Sequence, residues 1–136
     1  MKMKTISYWI FIATALITLY SCEGETSYSK FVYNHTDDTL TFVIFSSYPG
    51  LIKDSFEIFP NQEKDFWYWS KLGGSNTDAP CNEGIDSIHF YASDSVTLQK
   101  DFLDNHNWDY SRQSNKRGSM VDNYCTFHVR AEDLEK

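Results

Sequence analysis

The sequence predicts an all-β protein that folds as a single antiparallel β-sandwich. Apolar and polar residues alternate in about seven short runs, which is the pattern of half-buried strands. Clusters of Gly, Pro, Asn and Asp separate these runs at the spacing that is typical of sandwiches. No stretch carries a convincing apolar stripe at helical spacing. A small closed barrel is the alternative architecture that this pattern allows.

The N-terminal segment has the features of a secretory signal peptide. Two lysines precede an uncharged run over residues 5–21, and the small residue Ser21 lies directly before Cys22. The stretch 19–22 resembles the lipobox of bacterial lipoproteins, whose cysteine is acylated and becomes the first residue after cleavage. We therefore expect a signal peptide over residues 1–21 and a membrane anchor through lipid on Cys22. An uncleaved anchor is the alternative, although the run is shorter than the roughly 20 residues of a spanning helix.

Cleavage before Cys22 would leave residues 22–136, which is enough chain for one domain with its own hydrophobic core. The whole chain has a formal net charge of -7, and removal of Lys2 and Lys4 would change it to -9. A surface of this charge disfavours nucleic acid and anionic lipid headgroups as partners. A core of this size needs no metal or cofactor in order to fold, and none is predicted.

The domain is predicted to begin at residue 29, after a polar tether over residues 22–28. The predicted strands are 30–34, 40–45, 52–58, 63–69, 85–91, 96–102 and 124–130, and the sixth is expected to pair with the fifth as a hairpin. The strand 40–45 is expected to be central, because apolar residues occupy both of its faces. Loops are predicted over 71–82 and 104–122, and one terminal turn over 132–135. This number of short strands predicts an immunoglobulin-like sandwich in the architectural sense.

The strand 63–69 contains four consecutive aromatic residues. Alternation places Trp67 and Trp69 on one face with Asp65, and Phe66 and Tyr68 on the other. The two tryptophans should therefore be buried together or exposed together unless a β-bulge interrupts the strand.

The candidate ligand-binding residues are Trp67, Trp69, Trp108 and Tyr110. Aromatic residues make up 17% of the chain, so some of them can be spared from the core. Flat aromatic faces stack on sugar rings, and small polar neighbours can add hydrogen bonds. Core packing is the alternative role for each, since tryptophan is often buried with its N–H satisfied.

Cys81 and Cys125 remain once Cys22 is assigned to lipid attachment. A secreted chain reaches a compartment in which disulfides persist, so we expect these two residues to pair. The bond would close a loop of about 44 residues and stabilise the fold by roughly 4 kcal/mol. Two free buried thiols are the alternative, because sequence alone does not determine pairing.

The sequence contains no recognisable catalytic pattern. It has no Ser/His/Asp, Cys/His or nucleophile-elbow arrangement, and no glycine-rich run between a strand and a helix. The four histidines, His35, His89, His106 and His128, are far apart, and their spacing predicts no metal site. We therefore expect a non-enzymatic protein whose histidines are exposed or hydrogen-bonded.

The chain as a whole resembles the small β-sandwich lipoproteins of the Bacteroidota envelope. The likeness rests on the lipobox, the short acidic tether, the turn Asn34-His35-Thr36, the turn Pro60-Asn61 and the closing strand Phe127-His128-Val129. It implies a lipid-anchored place in the outer membrane, facing the periplasm or the surface, and supplies no catalytic residue. The expected function is binding of a protein or glycan ligand. A structural or accessory subunit of an envelope or surface assembly is the alternative.

Overall fold

The computed structural model describes residues 24–47, 53–72, 79–92, 96–115 and 120–135. The signal peptide over 1–21 and the lipid on Cys22 lie outside this part of the chain and stay predictions. The strands are β1 (Glu25–Asn34), β2 (Leu40–Phe45), β3 (Lys53–Ile58), β4 (Glu63–Leu72), β5 (Ser87–Ala92), β6 (Thr97–Leu98), β7 (Trp108–Ser114), β8 (Met120–Val129) and β9 (Leu134–Glu135). Within the described residues, short 3-10 turns cover Asn105–Asn107 and Ala131–Asp133.

Seven of these strands form two sheets that pack face to face. One sheet has the order β4-β1-β8-β7, and the other has the order β3-β2-β5. β6 and β9 form a separate two-stranded ladder. Among the described strands, β1 and β8 run parallel and the other pairs are antiparallel. The all-β sandwich is thus confirmed, while the finer likeness to immunoglobulin domains stays a prediction.

β2 is the central strand of the three-stranded sheet, as predicted. Leu40, Phe42 and Ile44 point into the core and expose 0% of their surface. Thr41 and Val43, on the opposite face, are half-buried. Each fully buried side chain of this kind stabilises the fold by about 1.5–3 kcal/mol relative to leaving it in water.

Aromatic rings from both sheets meet in the core. Phe56 of β3 stacks on Phe66 of β4 with 5.3 Å between ring centroids, which joins the two sheets. Phe102, from the segment between β6 and β7, lies 5.8 Å from Phe42 and 4.6 Å from Phe127. It therefore contacts both sheets at once and fills the space between them.

The turn between β1 and β2 is organised by Asn34, which is fully buried. Its side-chain nitrogen donates to the carbonyls of Asp38 at 2.7 Å and Ile58 at 3.1 Å. Its side-chain oxygen accepts from the N–H and the hydroxyl of Thr36, at 2.9 and 2.7 Å. The amide thus satisfies buried backbone groups of two chain segments, which explains why this polar residue lies in the core.

β1 begins earlier than the sequence predicted. Residues 25–28, which were assigned to the tether, form the first part of the strand, and residues 26–30 are all buried. The reason is that β1 lies between β4 and β8, so even its small polar residues are covered by neighbouring strands. Because this stretch is polar, the sequence did not predict that it belongs to an interior strand of the sheet.

The region between β5 and β8 also differs from the prediction. The stretch 104–122, predicted as a loop, contains β7, an edge strand in which only Trp108 is buried. An exposed edge strand lacks the apolar alternation on which the prediction relied. The segment 96–102 does not pair with β5, because its short strand β6 pairs with β9 at the C-terminus. The predicted terminal turn over 132–135 is a 3-10 turn that leads into β9.

Candidate ligand-binding face

Trp108 belongs to the core. Only 6% of its surface is exposed, and its indole N–H donates to the carbonyl of Phe102 at 2.9 Å. Its ring centroid lies 4.7 Å from that of Phe102 and 5.3 Å from that of Phe127. The side chain is therefore not part of a surface that a ligand could reach.

A β-bulge in β4 changes which of its aromatic residues face the core. Lys30 of β1 pairs with Trp67 while Phe31 pairs with Asp65, which leaves Phe66 as an extra residue. The Asp65 carboxylate accepts a hydrogen bond from the backbone N–H of Trp67 at 3.1 Å. Phe66 turns into the core with 7% of its surface exposed, and Asp65 lies on the face opposite to Trp67 and Trp69. The predicted placement of Asp65 with the tryptophans, and of Phe66 opposite to them, is therefore wrong.

Trp67 and Trp69 share a face and are both half-buried. Trp69 lies against Tyr28, with 5.0 Å between ring centroids. Trp67 packs against the edge of the core. Tyr68 points to the opposite side of the sheet and is 63% exposed. The largest accessible ring of this strand is thus the tyrosine, which the sequence analysis did not select.

Trp67 also helps to hold the segment that precedes β5. Cys81 of this segment forms a disulfide with Cys125 of β8, as predicted. Gly84 has a φ of +79°, and a Cβ atom built on it would lie 2.7 Å from Cη2 of Trp67. The disulfide therefore fixes this segment against the four-stranded sheet. The Trp67 ring also packs so closely on Gly84 that a larger residue would collide with it.

Lys30 is a third contact to the same segment. It is 6% exposed, its ammonium donates to the carbonyl of Glu83, and Nζ lies 4.5 Å from the ring centroid of Trp67. Burial lowers the pKa of this ammonium to about 8, and the Glu83 carboxylate opposes that shift. The contacts explain how a lysine is accommodated on the inner face, and they assign it a structural role.

Tyr110 borders a shallow depression of about 340 Å³, lined by Ala79, Pro80, Cys81, Asn105 and Tyr110. Its hydroxyl already donates to Asn123 at 2.6 Å, and Asn105 accepts from the N–H of Cys81 at 2.6 Å. The polar atoms that could bind a small ligand here are therefore largely engaged by the protein itself.

The outer face of the four-stranded sheet is a broader candidate. We use this name for the solvent side of β4, β1, β8 and β7, where cross-strand partners share a face. Its successive rows are Tyr68, Ser29, Tyr124 and Ser111, then Asp65, Phe31, Thr126 and Asp109, then Glu63, Tyr33 and His128. Aromatic, hydroxyl and carboxylate groups thus alternate across this face.

The aromatic residues of the outer face remain partly accessible. Tyr68 is 63% exposed, and Phe31, Tyr33 and Tyr124 are half-buried. Phe31 and Tyr124 lie side by side, with 6.3 Å between ring centroids. Exposed aromatic groups of this kind fill pockets and stack on partners at interfaces.

The outer face is acidic. Glu63, Asp65 and Asp109 lie in these rows. Asp122 lies in the row on the other side of Ser29 and Tyr124, where it accepts from the hydroxyl of Ser27 at 2.5 Å. Among the outward positions described in these four strands, none is lysine or arginine. The face therefore presents carboxylates beside aromatic rings.

Two histidines meet at one end of the outer face. Nε2 of His35 lies 2.7 Å from Nδ1 of His128, and Nε2 of His128 lies 3.1 Å from the carboxylate of Asp109. His35 also stacks on Tyr33, with 4.1 Å between ring centroids. Burial and, next, the charge of His128 lower the pKa of His35.

This histidine pair orients rings and does not form a recognisable catalytic or metal centre. Both ring nitrogens of His128 are engaged by Asp109 and His35, so it is not free to act as a base towards a substrate. In the part of the chain that the structure describes, no group of three His, Cys, Asp or Glu side chains could hold a metal ion. The described residues also contain no helix that is long and apolar enough to cross a membrane.

Sequence reasoning missed the outer face because it depends on long-range pairing. The alternation of Phe31 and Tyr33 around Val32 indicates that both point outward, and Tyr124 and His128 follow the same rule in β8. The signal was therefore present within each strand. The parallel pairing of β1 with β8, which places these residues side by side, has no local signature.

The chain matches no protein-family model, no curated protein and no solved structure in the three comparisons that we made.

Proposed function

We propose that this protein is a non-enzymatic, lipid-anchored protein of the bacterial envelope that binds a basic segment of a protein partner. The outer face of the four-stranded sheet is the binding surface. The observation that carries this proposal is the combination of exposed aromatic rings and carboxylates on one face whose described outward positions include no lysine or arginine.

The aromatic residues supply the apolar part of the interaction. Tyr68 exposes 63% of its surface, whereas Phe66 of the same strand exposes only 7%. Tyrosine is enriched among residues that dominate binding energy, because it combines a large contact area with a polar group. Phe31 and Tyr124 lie next to it in the sheet and extend the contact area.

The charges favour a basic protein segment over a neutral glycan. Lysine and arginine side chains gain from carboxylates at close range and from the faces of aromatic rings, and both groups alternate on the outer face. The mature chain has a formal net charge of -9 once Lys2 and Lys4 are removed, which adds a long-range attraction for a cationic partner. A neutral sugar would use the rings and the hydrogen-bonding groups but would gain nothing from the net charge.

The proposed lipid anchor rests on the sequence ahead of the domain. The stretch 19–22 resembles a lipobox, and β1 begins at Glu25, three residues after Cys22. Such a chain is held close to its membrane and meets partners in the envelope.

Two matched pairs of variants test the surface. Tyr68→Ala and Glu63→Gln change the outer face, whereas Tyr91→Ala and Glu57→Gln change exposed residues of the same types on the other sheet. All four should change the free energy of unfolding by less than about 0.5 kcal/mol, because the side chains are on the surface. Any difference in binding then reports on the face and not on the fold.

Binding is measured with the full mature chain, synthetic peptides of equal length that differ in their number of Lys and Arg residues, and an array of neutral glycans. Affinity should rise with peptide charge, fall with added salt, and weaken in Tyr68→Ala and Glu63→Gln alone. Equal weakening in the variants of the other sheet would contradict the proposal, as would the lack of any peptide binding. Binding to neutral glycans alone, lost in Tyr68→Ala and insensitive to salt, would assign the face to glycans instead.

A further inference from the structure

One end of the outer face carries two exposed apolar side chains. Leu72, the last residue of β4, is 70% exposed, and Met120, the first residue of β8, is 51% exposed. Both pair with Glu25 of β1, so the three residues form one row across the sheet. Lys71, beside Leu72, is also exposed. Neither Leu72 nor Met120 belongs to the core cluster of the described residues.

The same end of the sheet is where the chain enters from Cys22. Cys22 precedes Glu25 by three residues, and an extended chain spans at most about 3.5 Å per residue, so the two lie within about 10 Å. An acylated Cys22 would therefore hold the row of Leu72, Glu25 and Met120 at the membrane surface. The opposite end of β1, at Asn34, is about 30 Å further along the strand.

We propose that Leu72 and Met120 insert into the interface of the membrane that holds the lipid anchor, so that the strands of the four-stranded sheet stand upright on the bilayer. This inference rests on the lipid anchor of the proposed function. The apolar side chains enter the boundary between headgroups and acyl chains, while the Lys71 stem extends along it with its ammonium in water. The occupant is a zwitterionic phospholipid surface, because the mature chain, whose formal net charge is -9 once Lys2 and Lys4 are removed, is repelled by anionic headgroups.

This orientation determines where the rest of the outer face lies. The histidine pair and Tyr33 are at the far end of the sheet from the bilayer, and Tyr68 and Tyr124 lie between the two ends. The aromatic and acidic groups are then directed sideways, parallel to the membrane, where a partner can reach them.

The experiment compares two ends of one strand. Lipidated protein is reconstituted in phosphatidylethanolamine and phosphatidylcholine vesicles that contain nitroxide-labelled lipid, with a fluorophore attached through Leu72→Cys or through Glu63→Cys. Both positions are in β4, both point outward, and they pair with opposite ends of β1. The lipid should quench the probe at position 72 several-fold more strongly than the probe at position 63.

A tether without an apolar contact would also bring position 72 near the membrane, so a second variant separates the two cases. Adding Met120→Asp to the chain labelled at position 72 should lower quenching towards the value at position 63, because it removes an inserted apolar side chain and adds a second carboxylate beside that of Glu25. Equal quenching at the two positions, or no effect of Met120→Asp, overturns the inference.

Labelled palmitate uptake tests the anchor by itself, with Cys22→Ser as the control. If the wild type takes up palmitate and Cys22→Ser does not, the anchor is present. Equal quenching at positions 72 and 63 in that protein would then overturn the membrane contact of Leu72 and Met120 alone. Lack of palmitate on the wild type overturns both the anchor and the inference that depends on it.

Discussion

Replacement of Lys30 by methionine should stabilise the protein near neutral pH and should change how its stability depends on pH. Lys30 is 6% exposed and lies on the inner face of β1, over the ring of Trp67. Methionine has a similar length and no charge, so it can occupy the same space without the cost of burying an ammonium.

The magnitude follows from the pKa of the lysine. Burial lowers this pKa from 10.5 to about 8. A shift of one unit corresponds to about 1.4 kcal/mol, so burial of the charged form costs about 3 kcal/mol relative to the neutral form. Methionine loses the hydrogen bond to the carbonyl of Glu83 and the contact of the ammonium with Trp67, which together offset about 1–2 kcal/mol. We expect Lys30→Met to raise the free energy of unfolding by about 1–2 kcal/mol near neutral pH.

The sign of the pH dependence is determined by the same shift. Between pH 8 and 10.5 the unfolded chain binds more protons at this lysine than the folded chain, so the stability of the wild type rises with pH across this window. Lys30→Met lacks that contribution. The advantage of the variant should therefore shrink by about 2–3 kcal/mol between about pH 7 and about pH 10.

Urea melts of both proteins at the two pH values measure this difference directly. Lys64→Met serves as the control, because Lys64 is an exposed lysine of the neighbouring strand β4. If the gap in unfolding free energy between wild type and Lys30→Met stayed constant with pH, the lowered pKa could not be the cause. If Lys30→Met were less stable than the wild type by the same amount at both pH values, the lowered pKa of Lys30 would likewise be excluded as the cause.

The remaining predictions concern the disulfide and the histidine pair. Cys81→Ala and Cys125→Ala should each lower the free energy of unfolding by about 2–5 kcal/mol, and the double variant should be no less stable than either single, because one bond is lost. Two alkylatable thiols in the unreduced, unfolded mature chain would contradict this expectation. The lowered pKa of His35 means that stability falls as pH falls through about 6.5, since the unfolded chain then binds more protons. His35→Gln should flatten this decline in urea melts, whereas His89→Gln should not; an unchanged slope in His35→Gln would contradict the assignment.

The parts of the fold that the sequence predicted are those with a strong local pattern. β2 was placed at 40–45 with Leu40, Phe42 and Ile44 inward, because its alternation is complete and both flanks carry turn residues. The disulfide was also predicted, because Cys81 and Cys125 were the two thiols left after the lipid site was assigned. Local pattern and composition were sufficient in both cases.

The parts that it did not predict depend on neighbours that are distant in sequence. The first residues of β1 are polar, and their burial comes from the strands on either side. β7 is exposed at the sheet edge, so its residues show no apolar alternation. Phe66 faces the core because of a bulge, which no spacing of residues in β4 reveals.

The candidate site illustrates the same limit. The sequence analysis selected tryptophans by residue type, and Trp108 proved to be a core residue. The accessible rings of Tyr68 and Tyr124 become one surface only when β4 and β8 flank β1. His35 and His128 are 93 residues apart, and their contact likewise requires the parallel pairing of β1 with β8.

That parallel pairing also determines how the domain bears mechanical load. β1 and β8 are in register from Glu25 opposite Met120 to Asn34 opposite Val129. A pull on the N-terminal end of β1 against the C-terminal end of β8 draws the two strands along their length in opposite directions. The evenly spaced hydrogen bonds of a parallel ladder then carry the force together in shear. A hairpin pulled at its open end would instead lose its bonds one after another, so a pull of this kind on β1 and β8 loads the whole ladder at once.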